Sequence, residues 1–228
     1  MNYSELSSAI QTYTENKFPT ITLADSSTVS STAQINRFIQ QAEQRIYNSV
    51  QFPSIRKNVT GATSTNNKYL ACPSDFLAPY SMAVIDGTGA YEYLLNKDVN
   101  FIRQSYPSPT DTAIPKYYAL FGPQSNDVNE LSFILGPTPD AAYTVELHYY
   151  YYPESITTAT TTWLGDNFDT VLLYGALVEA YTFMKGEPDL IALYDTKYKE
   201  ALGLAKRLGD GMERQDAYRS GQYRQRVT

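Results

Sequence analysis

Residues 169–185 read Asp169-Thr170-Val171-Leu172-Leu173-Tyr174-Gly175-Ala176-Leu177-Val178-Glu179-Ala180-Tyr181-Thr182-Phe183-Met184-Lys185, and between the two ends Glu179 is the single charged residue. A helix that is apolar nearly all round has no face to give to water and must be covered on more than one side. Asp166, with Asp169 three residues on, predicts its N-terminus, because both carboxylates suit the positive end of the helix dipole. Gly186-Glu187-Pro188 turns the chain, and a last helix opens with Pro188 at its first position. Leu190, Ile191, Tyr194, Tyr198, Ala201, Leu202, Ala205 and Leu208 form its buried stripe, and Gly209 is a natural stop.

Two N-terminal segments supply further helices. Tyr3, Leu6, Ile10 and Tyr13 mark one face of a helix over residues 3–16, ended by Phe18-Pro19. Ile35, Phe38, Ile39, Ala42, Ile46 and Val50 mark another, capped by Ser31 or Thr32 and stopped by Pro53. The polar residues 20–31 between them have no period and read as a linker. Residues 55–153 are short apolar or alternating runs broken by turn residues, the pattern of an all-β segment. Its clearest hairpin joins Ala83-Val84-Ile85 to Tyr91-Glu92-Tyr93-Leu94 through Asp86-Gly87-Thr88-Gly89. Further strands are expected at 116–121, 130–135 and 143–152, and a brief helix at 98–105. The prolines at 73, 79, 107, 109, 115, 123, 137, 139 and 153 fall between the runs, where they cost no ladder hydrogen bonds.

The expected fold is α+β: a helical bundle built from N-terminal helices (1–54) and a C-terminal helical hairpin (158–209), with an inserted antiparallel β domain (55–157). Residues 210–228 are expected as an extended tail. It alternates Arg and Tyr, in Arg214, Tyr218, Arg219, Tyr223, Arg224 and Arg226. From Lys206 onward six basic residues face three acidic ones, a net +3, which leaves −9 of the overall −6 on the rest of the chain. Arg and Tyr dominate interface hot spots, so this tail fits docking on a partner better than coating of nucleic acid.

At 228 residues with 43% hydrophobic and 18% charged side chains, the chain has the composition of a folded globular protein. A formal charge of −6 argues against a nucleic-acid coat protein, whose phosphate contacts need an excess of Lys and Arg. No apolar run reaches the roughly 18 residues of a membrane span. The first residues lack a basic patch followed by an apolar core, so the expectation is a soluble, unprocessed chain. Asn58-Val59-Thr60 matches a glycosylation acceptor and reads as coincidence without a secretory signal.

One cysteine, Cys72, and one histidine, His148, exclude a Cys/His zinc site and a disulfide framework. His148 shares a strand face with Glu146, but no Ser or Cys stands in a nucleophile context. Cys72 precedes Pro73 with no basic neighbour to activate it. Phosphate loops, dinucleotide fingerprints and calcium loops are absent, so no catalytic, cofactor or metal residues are assigned. The 21 tyrosines are the informative excess, because tyrosine suits surfaces that are wet before assembly and dry after it. Tyr149, Tyr150, Tyr151 and Tyr152 place rings on both faces of one strand and are candidates for a partner-binding surface or a carbohydrate platform.

A set of further stretches carries a resemblance: Leu70-Ala71-Cys72-Pro73-Ser74-Asp75-Phe76-Leu77, Tyr117-Tyr118-Ala119-Leu120-Phe121-Gly122, Leu131-Ser132-Phe133-Ile134-Leu135-Gly136-Pro137-Thr138-Pro139, residues 145–153, and Thr162-Trp163-Leu164-Gly165-Asp166-Asn167-Phe168-Asp169 leading into 172–180. In these pieces and their order the chain resembles the head-to-tail adaptor proteins of tailed bacteriophages, the group that includes tail tubular protein A. The resemblance implies a structural virion protein, assembled in the host cytoplasm, with no reaction to catalyse and no membrane contact. It implies a closed ring of about twelve copies between the portal protein and a tail nozzle or tail tube protein. Double-stranded DNA passes through such a channel without specific binding, which suits an acidic wall.

Under the same resemblance, Leu173, Tyr174, Leu177 and Tyr181 face a neighbouring subunit, the Arg/Tyr tail docks on the portal, and Tyr149–Tyr152 meet the next tail protein. Cys72 departs from the aliphatic residue more usual there, and Thr157–Thr162 lengthens the link to the helical hairpin. The competing readings are a tail-terminator or tail-completion ring protein, and a glycan-binding β-sandwich module of a phage tail.

Overall fold

The computed structural model describes residues 1–50, 52–108, 110–123 and 131–220, with the side chains of Pro53 and of residues 209–220 excepted. In chain order the elements are α1 (Tyr3–Thr14), β1 (Ile21–Thr22), β2 (Thr28–Val29), α2 (Ser31–Ser49), a 3-10 turn (Pro53–Ile55), β3 (Arg56–Ala62), β4 (Tyr69–Ala71), β5 (Phe76–Ile85), β6 (Tyr91–Tyr93), β7 (Leu95–Asn96) and α3 (Val99–Ser105). Then follow β8 (Tyr117–Pro123), β9 (Leu131–Gly136), β10 (Thr144–Tyr151), α4 (Ile156–Ala159), α5 (Trp163–Asn167), α6 (Asp169–Met184) and α7 (Pro188–Ser220). The fold is α+β, and it divides into two compact units: Met1–Ser54 with Pro153–Thr228, and Ile55–Tyr152.

The helical unit is organised around α6. Its own chain covers it, since α1, α2, α5 and α7 all pack against it, and Val171, Leu172, Leu173, Gly175, Ala176, Leu177, Val178 and Ala180 are buried there. Most of the missing polar face is thus covered within one chain, while Phe183 near the helix end stays 49% exposed. Gly175 permits the close approach: a Cβ there would stand 3.1 Å from the Cβ of Ala42 and 3.2 Å from the Tyr198 ring. Glu179, the lone charge, forms an ion pair with Arg45 of α2.

The helix ends follow local chemistry. Asn2 caps α1 by a reciprocal pair of hydrogen bonds, Glu5 N–H to Asn2 Oδ1 at 3.0 Å and Asn2 N–H to Glu5 Oε2 at 2.9 Å. Ser30, one residue before the expected cap, accepts from Ala33 N–H at 3.2 Å, while Ser31 donates to the Lys17 carbonyl instead. The linker expected at 20–31 contains the two-residue β1–β2 ladder. Asp166 does not cap the apolar helix: Thr162 caps the short α5, accepting from Gly165 N–H at 3.1 Å, and Phe168 at φ −138°, ψ 45° separates α5 from α6.

Helix α7 also differs from expectation, because the backbone stays helical past Gly209 to Ser220 where a stop and an extended tail were expected. A helical glycine costs only about 1 kcal/mol relative to alanine, and Met212, Glu213, Arg214, Gln215 and Ala217 that follow favour helix. The second unit boundary falls at Tyr152/Pro153 rather than after residue 157. Its cause is α4, whose Ile156 N–H donates to the buried Glu43 Oε1 of α2 at 2.9 Å.

The second unit packs two four-stranded sheets face to face, β3-β10-β5-β6 and β4-β9-β8-β7. Phe76, Met82, Val84, Leu94, Tyr118, Phe133, Leu135, Val145, Leu147 and Tyr149 fill the space between them. The expected hairpin forms with Ala83 opposite Tyr93 and Ile85 opposite Tyr91. Among the described strands the pairing is antiparallel except between β7 and β8, where Leu95 lies opposite Tyr117 in parallel, and an isolated parallel bridge joins Thr112 to Thr138. A parallel pair needs a crossover, which the segment containing α3 supplies. Pro79 is not between strands as expected but inside β5, opposite Tyr149 at a register shift. The shift leaves Tyr80 as the extra residue of a bulge, and bulges are where a strand tolerates proline. Glu130, assigned to a strand by the sequence, lies outside the described residues.

Candidate protein-docking surfaces

Alternation along β10 sorts its side chains. Val145, Leu147 and Tyr149 face the core, whereas Glu146, His148 and Tyr150 face outward. Tyr149 is fully buried, and its hydroxyl donates to Asp75 Oδ1 at 2.6 Å. Lys57 donates to the other oxygen of Asp75 at 2.7 Å. Burial, and then the bond to Asp75, push the Tyr149 hydroxyl up to about 12. Tyr151 also packs against the core. Of the four tyrosines expected to bind a partner, Tyr149 is turned inward and Tyr151 is partly buried against the core, while Tyr150 faces outward and Tyr152 is half-exposed.

The outward face gathers residues the sequence did not bring together. The Tyr80 ring lies 4.9 Å from His148 and 5.9 Å from Tyr150, with the Arg56 guanidinium 4.6 Å from Tyr80 and 5.5 Å from Tyr150. Asn58 donates to Glu146 at 2.8 Å, so the acid expected beside His148 is held by an amide. Further along, Tyr91 and Tyr93 stack at 6.2 Å. The Glu146 charge first, then burial, raise the Tyr91 hydroxyl. Tyr80, Tyr91 and Tyr93 are 46%, 51% and 70% exposed. Only the strand register identifies these partners, because Tyr91 and Tyr93 share a face with Glu146 through Ala83 of β5.

The candidate subunit-interface residues on α6 divide in the same way. Leu173 and Leu177 are buried in their own unit. Tyr174 and Tyr181 are half-buried and close on Tyr194 of α7, at ring distances of 6.1 and 5.0 Å. The Tyr181 hydroxyl donates to the Tyr13 carbonyl at 2.9 Å. Burial, then the Tyr181 hydroxyl, push Tyr194 up to about 12. Of the Arg/Tyr segment, Arg214, Tyr218 and Arg219 fall on the helical backbone of α7 with side chains outside the description, and Tyr223, Arg224 and Arg226 lie outside the described residues.

Cys72 packs half-buried against the sheet core. Among the described residues no group of His, Cys, Asp or Glu is arranged to hold a metal ion, and no helix is long and apolar enough to cross a membrane. The SU10 adaptor protein family model matches residues 1–226. The chain belongs to that family. No curated protein matches it. As an SU10 adaptor protein the chain is a structural component of a bacteriophage virion, which assembles with other head and tail proteins.

Proposed function

We propose that the protein is a subunit of the closed head-to-tail adaptor ring that joins the portal to the tail and surrounds the DNA channel. The observation that carries this reading is the match of residues 1–226, both compact units included, to a family of phage adaptors. A ring of about twelve copies arises from one heterologous contact repeated until the rotation closes. The formal charge of −6 suits a channel wall, since like charge denies phosphates a binding site. The Arg/Tyr segment from Arg214 to Arg226 is the proposed portal contact, and Tyr150 and Tyr152 with Tyr80 are the proposed contact for the next tail protein.

Single-particle electron microscopy of the purified protein, alone and mixed with the portal from the same genome, tests it. A closed ring stacked coaxially on the portal is the expected result. Free monomers that ignore the portal overturn it, and a ring that stacks only on the tail tube favours a tail-completion subunit. The outward aromatic face supports a second reading, a glycan platform, because exposed rings such as Tyr80 stack on sugars as well as on proteins. Retention on host polysaccharide that falls when Tyr150 and Tyr152 are replaced would support that alternative, and no retention by the parent discards it.

A further inference from the structure

The β3-β10-β5-β6 sheet keeps both its edges open. Leu94 N–H donates to the Met82 carbonyl at 2.9 Å, so alternation directs the main-chain groups of Glu92 and Leu94 toward β5 and those of Tyr91 and Tyr93 away from it. At the opposite edge Thr63 N–H donates to the Tyr143 carbonyl at 2.9 Å, which turns the main-chain groups of Asn58, Thr60 and Ala62 outward from β3. Among the described residues no strand pairs with either outer edge. Unpaired edges are commonly guarded by lysine, proline or a bulge. None of these occurs in β6, where Tyr91, Glu92 and Tyr93 are all exposed.

Direction and charge both say what fits there. Each strand of the sheet is antiparallel to its neighbour, so the two edges run in opposite senses. A second copy brought alongside by a rotation that preserves strand direction therefore sets β6 antiparallel to β3, repeating the pairing inside the sheet. Glu92 lies on β6 with Asp86 in its hairpin, while Arg56 and Lys57 open β3.

We propose that β6 of one copy pairs antiparallel with β3 of the next, Tyr93 opposite Asn58 and Tyr91 opposite Thr60, so that the sheet continues from subunit to subunit. This contact rests on the ring reading above and specifies where its copies touch. The register opposes residues whose main-chain groups both point outward, allowing up to about four inter-copy hydrogen bonds. It places Glu92 diagonal to Lys57 of the next copy on one face, and Tyr93 diagonal to Arg56 on the other, both within the reach of cross-strand pairs.

The test is oxidative cross-linking in a Cys72→Ser background. Hydrogen-bonded antiparallel partners stand about 5.5 Å apart at Cα, within disulfide range. A chain carrying both Tyr93→Cys and Asn58→Cys is expected to give a ladder of covalent multimers on a non-reducing gel, and a mixture of the two single variants only dimers. Tyr93→Cys with Ser8→Cys, on an exposed face of α1, serves as control and should give no ladder. Tyr93→Pro removes an outward N–H that pairs with no strand among the described residues, so it should abolish ring formation while leaving the melting temperature unchanged. Rings that form without the ladder, and that survive Tyr93→Pro, overturn the edge pairing and leave the ring reading standing. A parent protein that does not self-associate, alone or on the portal, overturns both.

Discussion

Helix α6 and strand β6 are both rich in large side chains, yet the chain treats them in opposite ways. Leu172 and Leu177 of α6 are fully buried, enclosed by four helices of the same unit. Tyr93 of β6 is 70% exposed, and no strand pairs with its outer edge among the described residues. The most apolar segment is thus largely covered within one chain. The proposed assembly surface is instead rich in tyrosine, whose ring gains from burial and whose hydroxyl tolerates water in the free subunit.

Leu177→Asp should disrupt the enclosed helix most severely. An unpaired carboxylate at a fully buried position should cost about 3–5 kcal/mol and collapse the helical unit, read as loss of the cooperative thermal transition followed by circular dichroism. A soluble variant that melts like the parent would mean that α6 is not enclosed by its own chain.

Tyr149→Phe probes the tyrosine that faces inward. It removes the hydroxyl bond to Asp75 and should cost about 1–2 kcal/mol at neutral pH. Burial pushes the Asp75 carboxyl up, but the hydrogen bonds from Lys57 and Tyr149 together outweigh it and hold the group below its ordinary value. Its contribution is complete above an unfolded carboxylate pKa of about 4 and is lost as the pH falls through the depressed folded value. With one bond gone the depression shrinks, so acid unfolding of the variant should begin at higher pH than in the parent. At the alkaline end the order reverses: Tyr149 contributes fully below its unfolded pKa of about 10 and loses that contribution as the pH rises through about 12. The gap between parent and variant should close there, and a gap independent of pH would dissociate Tyr149 from Asp75.

Local features were legible in the sequence. The apolarity of residues 169–185 required covering helices, the glycine turn fixed the hairpin in which Ala83 meets Tyr93, and Asp98 caps α3 by accepting from Asn100 N–H. What stayed hidden depends on long-range pairing. Alternation from Val145 and Leu147 would have separated Tyr149 from Tyr150, but placing Tyr80 and Arg56 beside Tyr150, and Tyr91 near Glu146, needs the register of three other strands. The break at Phe168 and the continuation of α7 past Gly209 escaped because caps and glycines are tendencies that neighbouring residues override. Glu43 gave no signal, since its partner Ile156 lies 113 residues away.

Glu43→Gln sharpens the picture of the enclosed unit with a smaller effect. Burial raises this carboxyl, and the Ile156 N–H and Ser155 only partly oppose it. A group whose folded pKa is raised favours folding in its protonated form, so the ionised glutamate works against the helical unit at neutral pH and less so as the pH falls. Glutamine keeps an acceptor for Ile156 and carries no charge. The variant should be more stable than the parent at pH 7, a margin that narrows in acid. A loss of stability at pH 7 would mean that the charge itself holds α4 on α2.

The smallest effect on folding is expected at the open edge. Tyr93→Ser removes a ring that is mostly in water, so the melting temperature should correspond to a change within about 0.5 kcal/mol. Self-association is the property that should respond, because a tyrosine buried only between copies contributes to the assembled state and not to the subunit. Sedimentation at a series of concentrations should then show ring formation shifted at least about tenfold upward, the equivalent of about 1.4 kcal/mol per contact. A variant as stable as the parent that also assembles at the same concentration would place the copy-to-copy contact elsewhere, and the half-buried Tyr174 and Tyr181 of α6 would be the next residues to change.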